Sequence, residues 1–175
     1  PRRQELCIHN LKESDETGTK EQLREAFIKC AAAETFLLWQ NYKKDKENEK
    51  PTIKADDDLK EGKIPDEFKR QMFYTFGDYR DLCLNTDISK KVSFIDEAKK
   101  KIDAYFGKNP NPDPTEWWDT NGPDIWKGML CALSYNTEKK GMDHDVRPQL
   151  TSTYNYNSIK DELEDFASRP QFLRW

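Results

Sequence analysis

The 175-residue sequence predicts an all-α fold, a helical bundle built on a long antiparallel helix hairpin, 19–42 against 65–85, with extended loops. Three observations predict it. In "FKRQMFYTFGDYRDLC", residues 68–83, Phe68, Met72, Phe76, Tyr79 and Cys83 recur at steps of three or four and form one apolar stripe. The same spacing runs through "TKEQLREAFIKCAAAETFLLWQNYKK", where Leu23, Ala26, Phe27, Cys30, Ala33 and Leu37 line up. Strand-like alternation is scarce: only "LTSTYNYNSI", residues 150–159, shows it, and that stretch reads equally as extended loop.

The first long helix begins at Thr19, because Thr19 followed by Gln22 is a capping-box pair in which each side chain serves the other's backbone N–H. Ala31, Ala32 and Ala33 favour helix and permit a close neighbour. Residues 43–63, "KKDKENEKPTIKADDDLKEGK", carry charge at most positions and offer little to bury, which predicts a solvated, mobile loop. Pro65 suits the first turn of the second long helix, where its missing N–H has no intrahelical partner in any case. "SFIDEAKKKIDAYFG" predicts a helix capped by Ser93 and stopped by Gly107. The three prolines of "KNPNPDPTE" predict a rigid turn, and Pro123 opens a further helix through Ile125, Trp126, Met129, Leu130 and Leu133. Trp117, Trp118 and Trp126 are too large to leave exposed. A polar stretch, 136–158, leads into a short helix ended by Pro170.

Composition narrows the function. With 35% charged and 35% hydrophobic residues and a mean hydropathy of −1.05, the chain keeps 12% aromatics, which predicts a core of few but large side chains in one domain. The balance of 29 basic against 33 acidic residues gives a net charge of −4, so no global positive field recruits nucleic acid or an anionic membrane. No apolar run approaches the roughly 20 residues that span a bilayer, and "PRRQELC" lacks the apolar segment of a signal peptide. The abrupt start at Pro1 and the amphipathic pattern still running at Trp175 suggest part of a longer protein.

Reaction chemistry finds little footing. No phosphate-cradling glycine loop, nucleophile elbow or zinc-binding HExxH helix occurs, and no carboxylate pair stands in an apolar setting. His9 and His144 are isolated, so neither completes a metal-ligand pattern; a thiol nucleophile served by one of them is the residual catalytic reading. We expect no enzyme, no catalytic residue, no metal site and no cofactor. Basic clusters at Arg2–Arg3, Lys43–Lys44, Lys90–Lys91 and Lys99–Lys101 suit either a sulfated polysaccharide or ordinary solvated helix faces. Cys7, Cys30, Cys83 and Cys131 contain no CxxC pair; they are buried thiols or long-range disulfides, with three possible pairings. In the helix hairpin Cys30 and Cys83 face inward from opposite partners, which makes a cross-link between them geometrically sensible.

The blocks "PRRQELC", "LREAFIKCAAAETFLLW", "IPDEFKRQMFYTFGDYRDLCLNTDIS", "IWKGMLCAL", "YNYNSI" and "LEDFASRPQFLRW" resemble, in order and from end to end, those of a Duffy-binding-like domain. Such domains belong to the variant erythrocyte membrane protein family of the malaria parasite Plasmodium falciparum, and the blocks are most similar to its beta subclass. The resemblance implies a partial domain over 1–175, with 1–18 closing the first subdomain, 19–175 forming the helical core subdomain, and the third, cysteine-rich subdomain absent. It implies a disulfide-linked bundle, Cys30 with Cys83 and Cys7 with Cys131. It implies an adhesion module on the extracellular face of the infected erythrocyte membrane, its transmembrane segment outside this chain. The implied partner is a host endothelial receptor protein, intercellular adhesion molecule one in beta-type members, or a sulfated glycosaminoglycan in other subclasses, with host antibodies as further partners. Because receptor contacts of beta-type members are attributed largely to the absent subdomain, no receptor-binding residue is assigned.

Overall fold

The structure, a computed structural model, describes residues 6–13, 18–52, 54–86 and 93–174. Among the described residues eight α-helices run α1 (His9–Lys12), α2 (Lys20–Glu49), α3 (Ala55–Lys60), α4 (Asp66–Leu84), α5 (Ser93–Lys108), α6 (Pro114–Leu133), α7 (Val146–Thr153) and α8 (Tyr156–Ser168). A two-residue-per-strand antiparallel hairpin, β1 (Tyr135–Asn136) with β2 (Gly141–Met142), follows α6, and a 3-10 turn (Gln171–Leu173) follows α8. The predicted all-helical bundle is therefore present, but it is not disulfide-linked: Cys7, Cys30, Cys83 and Cys131 are all free thiols.

Local chemistry explains most boundaries. Thr19 caps α2 as the sequence predicts, its hydroxyl accepting from Gln22 N at 3.2 Å while Gln22 Oε1 accepts from Thr19 N at 3.1 Å. Yet α2 does not stop near residue 42. It runs seven residues into the segment expected to be loop, and α3 forms within the same segment. Lys46 bridges Glu67 at 3.0 Å and Lys43 bridges Asp56 at 3.1 Å, so charges that looked merely solvated tie the extension to α4 and α3. Asn85 ends α4 in the left-handed region, φ 55°. Gly107 plays no such part: α5 continues to Lys108, and Asn109 folds back to cap it, its Nδ2 3.0 Å from Tyr105 O. Helix α6 starts nine residues before Pro123, at Pro114, with Asp113 Oδ1 accepting from Glu116 N at 2.9 Å. Pro123 sits inside it, where its missing N–H withholds the usual helical bond from the carbonyl of Asp119 four residues earlier. Part of the polar stretch 136–158 is helical too. "LTSTYNYNSI" ends α7 and begins α8, with Asn155 as the cap of α8.

The core sits where α2, α4 and α6 cross. Every member of the α4 stripe, from Phe68 to Cys83, is buried, and so are Trp117, Trp118 and Trp126. Phe27 of α2 meets Trp117 at 5.2 Å and Trp118 at 6.1 Å between ring centroids, and Phe76 of α4 meets Trp118 at 5.0 Å. Helix α2 packs most extensively against α6, not against α4 as a simple hairpin requires. Gly128 permits this: a Cβ there would stand 2.8 Å from Ile28 Cγ2. The α2 stripe is buried from Leu23 to Cys30 but emerges toward its end, where Leu37 is 53% exposed.

The C-terminal end is fixed by a buried ion cluster. The Arg174 guanidinium donates to both Asp81 oxygens at 2.8 and 3.2 Å, lies 3.9 Å from Asp78, and also donates to Ala167 O. Gly77 makes room, since a Cβ at that position would meet the guanidinium at 3.1 Å. Phe76→Ala is expected to destabilise the domain by about 3–5 kcal/mol in urea denaturation, whereas Leu37→Ala changes stability by less than about 0.5 kcal/mol. Arg174→Ala takes the guanidinium away from two buried carboxylates and should cost about 3–5 kcal/mol in the same measurement.

Candidate interaction surface

A polar cleft of about 380 Å³ lies between the distal half of α2, α3 and the hairpin that follows α6. Its position follows from the helical extension of α2, which carries Lys43 and Glu47 out past the aromatic core to face α3. Asp56 organises the wall. Its Oδ1 accepts from Trp39 Nε1 at 3.2 Å and its Oδ2 from Lys43 Nζ at 3.1 Å, so the indole that fills the core also orients the carboxylate at the rim. Leu59 and Leu133 form the apolar floor, both nearly inaccessible.

Backbone donors shape the opposite wall. Asn136 Oδ1 accepts from Glu138 N and Lys139 N, each at 2.9 Å, which closes the hairpin turn, and Lys140 takes a left-handed conformation with φ 52°. Asp143 Oδ1 accepts from Asp145 N at 3.0 Å and Val146 N at 3.1 Å. Those two backbone donors hold the Asp143 carboxyl below the ordinary aspartate range. Tyr135 packs edge-on against Phe36 at 5.7 Å while staying 38% exposed, and Met142 beside it in the hairpin is 40% exposed.

The cleft is lined by Lys43, Lys54 and Lys60 against Glu47, Asp56, Asp57, Glu138 and Asp143, so carboxylates outnumber ammoniums. Lys60 is itself paired with Asp57 at 3.1 Å. That charge balance disfavours a polyanion and suits a polar protein surface. On α5, Lys99 and Lys101 are half-exposed and Lys100 is exposed, but the helix also carries Asp96, Glu97 and Asp103. Lys101 donates to Lys12 O and Glu97 bridges Lys12 at 3.2 Å, so part of this cluster fastens α1 to α5. Arg2, Arg3, Lys90 and Lys91 lie outside the described residues.

The other residues singled out by sequence are dispersed. His9 is exposed on α1 beside Glu13, and His144 is exposed between the hairpin and α7. Among the described residues no group of three or more His, Cys, Asp or Glu is placed to hold a metal ion. Cys83 points its Sγ at Pro114 O, 3.8 Å away, and Cys131 is half-buried on α6. Cys7 N donates to Glu34 Oε2 at 2.9 Å, which sets the segment before α1 against the turn of α2 that follows Cys30. Sequence reasoning passed over Asp56, Asn136 and Asp143. "ADDD" before Leu59 and "MDHDV" before α7 are helix-start patterns that could have placed two of them.

Fold and surface together define an all-α domain whose aromatic core presents charged helix faces and a polar cleft. The Duffy binding domain family model matches residues 1–174, and the chain belongs to that family. No curated protein and no solved structure matches. Among the described residues no helix is long and apolar enough to cross a membrane.

The depressed Asp143 pKa fixes a sign. Its contribution is fully present above the unfolded aspartate pKa of about 3.9 and is lost as pH falls through the lower folded value. Carboxyl-detected NMR titration should place the Asp143 midpoint below that of an unstructured aspartate. Asp143→Ala should lower amide protection at Asp145 and Val146 while leaving α4 unchanged.

Proposed function

We propose that this domain is a host-cell adhesion module of a parasite variant surface antigen, displayed on the extracellular face of the infected erythrocyte membrane. Its partner is an endothelial receptor protein, with intercellular adhesion molecule one the favoured candidate. The match to the Duffy binding domain family over residues 1–174 carries this reading. The beta-like blocks around Cys30, around Cys83 and at Tyr154 and Tyr156 direct it toward that receptor.

The physics of the molecule supports binding by a polar surface. The largest fully buried side chains are rings inside the bundle, so exposed side chains on α3, on the hairpin and on the outer face of α2 can change without disturbing the core. Lysines interleaved with carboxylates offer a protein partner complementary pairs, whereas a sulfated glycan needs an uninterrupted basic track. The domain acts by grip: a stiff scaffold holds a surface, and residence on the receptor is set by how well that surface is matched.

Surface plasmon resonance of this chain, and of a version extended past Trp175, against a panel of endothelial receptors checks the proposal. Saturable binding to intercellular adhesion molecule one by either protein, weakening less than about tenfold between 50 and 200 mM salt, is the expected result. Binding to heparin or chondroitin sulfate that collapses by about 10³-fold or more over that range would assign the glycan reading instead. Silence from both proteins on every receptor rejects the adhesion reading.

A further inference from the structure

Three methionines occur in the chain, and the fold places them differently. Met72 on α4 and Met129 on α6 are sealed in the core, at 1% and 0% exposure. Met142 stands on β2 and is 40% exposed. Across the hairpin it pairs with Tyr135, which is half-open to solvent and meets Phe36 of α2 edge-on. The Met142 sulfur is also held: Sδ lies 3.6 Å from the Oγ of Ser134, a buried residue that caps the C-terminal end of α6. The thioether thus touches the end of α6 while its side chain stays within reach of solutes.

Ser134 is where the hairpin is fastened. Its carbonyl accepts from Asp143 N at 2.6 Å, and its hydroxyl donates to Cys131 O at 2.7 Å in the last turn of α6. A hydroxyl has one proton and a thioether is a weak acceptor, so Met142 leaves that proton on Cys131 O. Little else holds the hairpin together. Two residues per strand make a pairing that is marginal in water, and Tyr135 with Met142 is one of its two cross-strand pairs.

We propose that Met142 is a modification site for peroxides, and that its conversion to the sulfoxide unfastens the β1–β2 hairpin from the end of α6. The Met142 sulfur attacks one oxygen of hydrogen peroxide, an S–O bond forms and the O–O bond breaks. The departing hydroxide takes up the proton of the transferred oxygen, so one thioether and one peroxide become one sulfoxide and one water. Sulfur loses two electrons, and the peroxide gains them. The product is polar and chiral where the thioether was apolar. Its oxygen competes with Cys131 O for the Ser134 hydroxyl, and its polarity removes the apolar match with Tyr135. Both changes act on the cleft wall, which Ser134, Tyr135, Asn136 and Asp143 help to form. The site goes beyond the adhesion reading and is the same whichever partner the cleft meets.

The test treats the native chain with hydrogen peroxide at neutral pH, reading methionine oxidation by peptide mass spectrometry and backbone opening by amide hydrogen exchange. Met142 should be oxidised about tenfold or more faster than Met72 and Met129, because the core must open before a peroxide reaches those two. Once Met142 is oxidised, protection of the Asp143 amide should fall about tenfold while α4 amides stay unchanged. Methionine sulfoxide reductases of both epimer specificities should restore it. Met142→Leu, with folding confirmed by circular dichroism, separates this response from oxidation of the cysteines: its Asp143 amide should not respond to peroxide. Equal oxidation of the three methionines, unchanged protection at Asp143 after Met142 is oxidised, or the same loss of protection in Met142→Leu each overturns the proposal.

Discussion

Phe27, Phe76, Trp117 and Trp118 meet where α2, α4 and α6 cross, and the arrangement of every other element depends on that contact. A chain with as many charged as hydrophobic residues cannot spread its burial thinly. It must concentrate apolar area in side chains that each bury about 150–250 Å², and rings do so with only two side-chain torsions to restrain. The indole N–H groups of Trp117 and Trp118 have no hydrogen-bond partner, which shows that area, not polarity, is what these residues supply. Because the rings come from three helices, the crossing fixes the relative position of all three, and the small residue Gly128 lets α6 close onto α2.

Around that crossing the chain is fastened by polar contacts that set direction. Tyr154 accepts from Ile64 N through its hydroxyl at 2.9 Å and from Trp126 Nε1 through its carbonyl at 2.8 Å, joining the start of α4 to α6 at the α7–α8 junction. Arg174 does the same for the C-terminal segment. A buried guanidinium–carboxylate pair contributes little net stability compared with an apolar replacement of equal volume, since desolvation offsets most of the attraction. Its geometric effect is larger. The planar fork engages both oxygens of Asp81 at once, so the segment after α8 leaves the bundle in one orientation, with Phe172 and Leu173 outward.

The aromatic stripe of α4 and the capping box of α2 were legible because both are local: spacing and one side chain's reach determine them. Residues 43–49 and 55–60 were not, because Lys43–Asp56 and Lys46–Glu67, which tie the extension of α2 to α3 and α4, are pairs between elements that no single-element pattern contains. Pro123 misled for a related reason. A proline inside a helix is unfavourable in isolation, but the tryptophans on either side of it are held by the core, and tertiary packing outweighs the lost hydrogen bond. The candidate surface was the least legible part. Asp56, Asn136 and Asp143 come from a helix, a hairpin and a turn that meet only once α2 is seen to extend. The cysteines show the same limit, since the family resemblance implied which of them pair while the position of Cys7 against α2 follows from Glu34 and Tyr79.

The separation between core and surface bears on how such a domain binds. Side chains that hold the bundle together are nearly all rings and aliphatics at the helix crossing, whereas the cleft wall is built from carboxylates oriented by indole, ammonium and backbone donors. Substitution in the wall therefore alters charge pattern without creating a cavity, and substitution in the core creates a cavity without altering charge pattern. A partner that reads the wall meets a surface whose chemistry is free to vary at small cost in stability. The cost rises only where a wall residue also serves the core. Asp56 is such a residue, because its loss removes the acceptor for the buried Trp39 indole, so the cleft retains one feature that folding itself maintains.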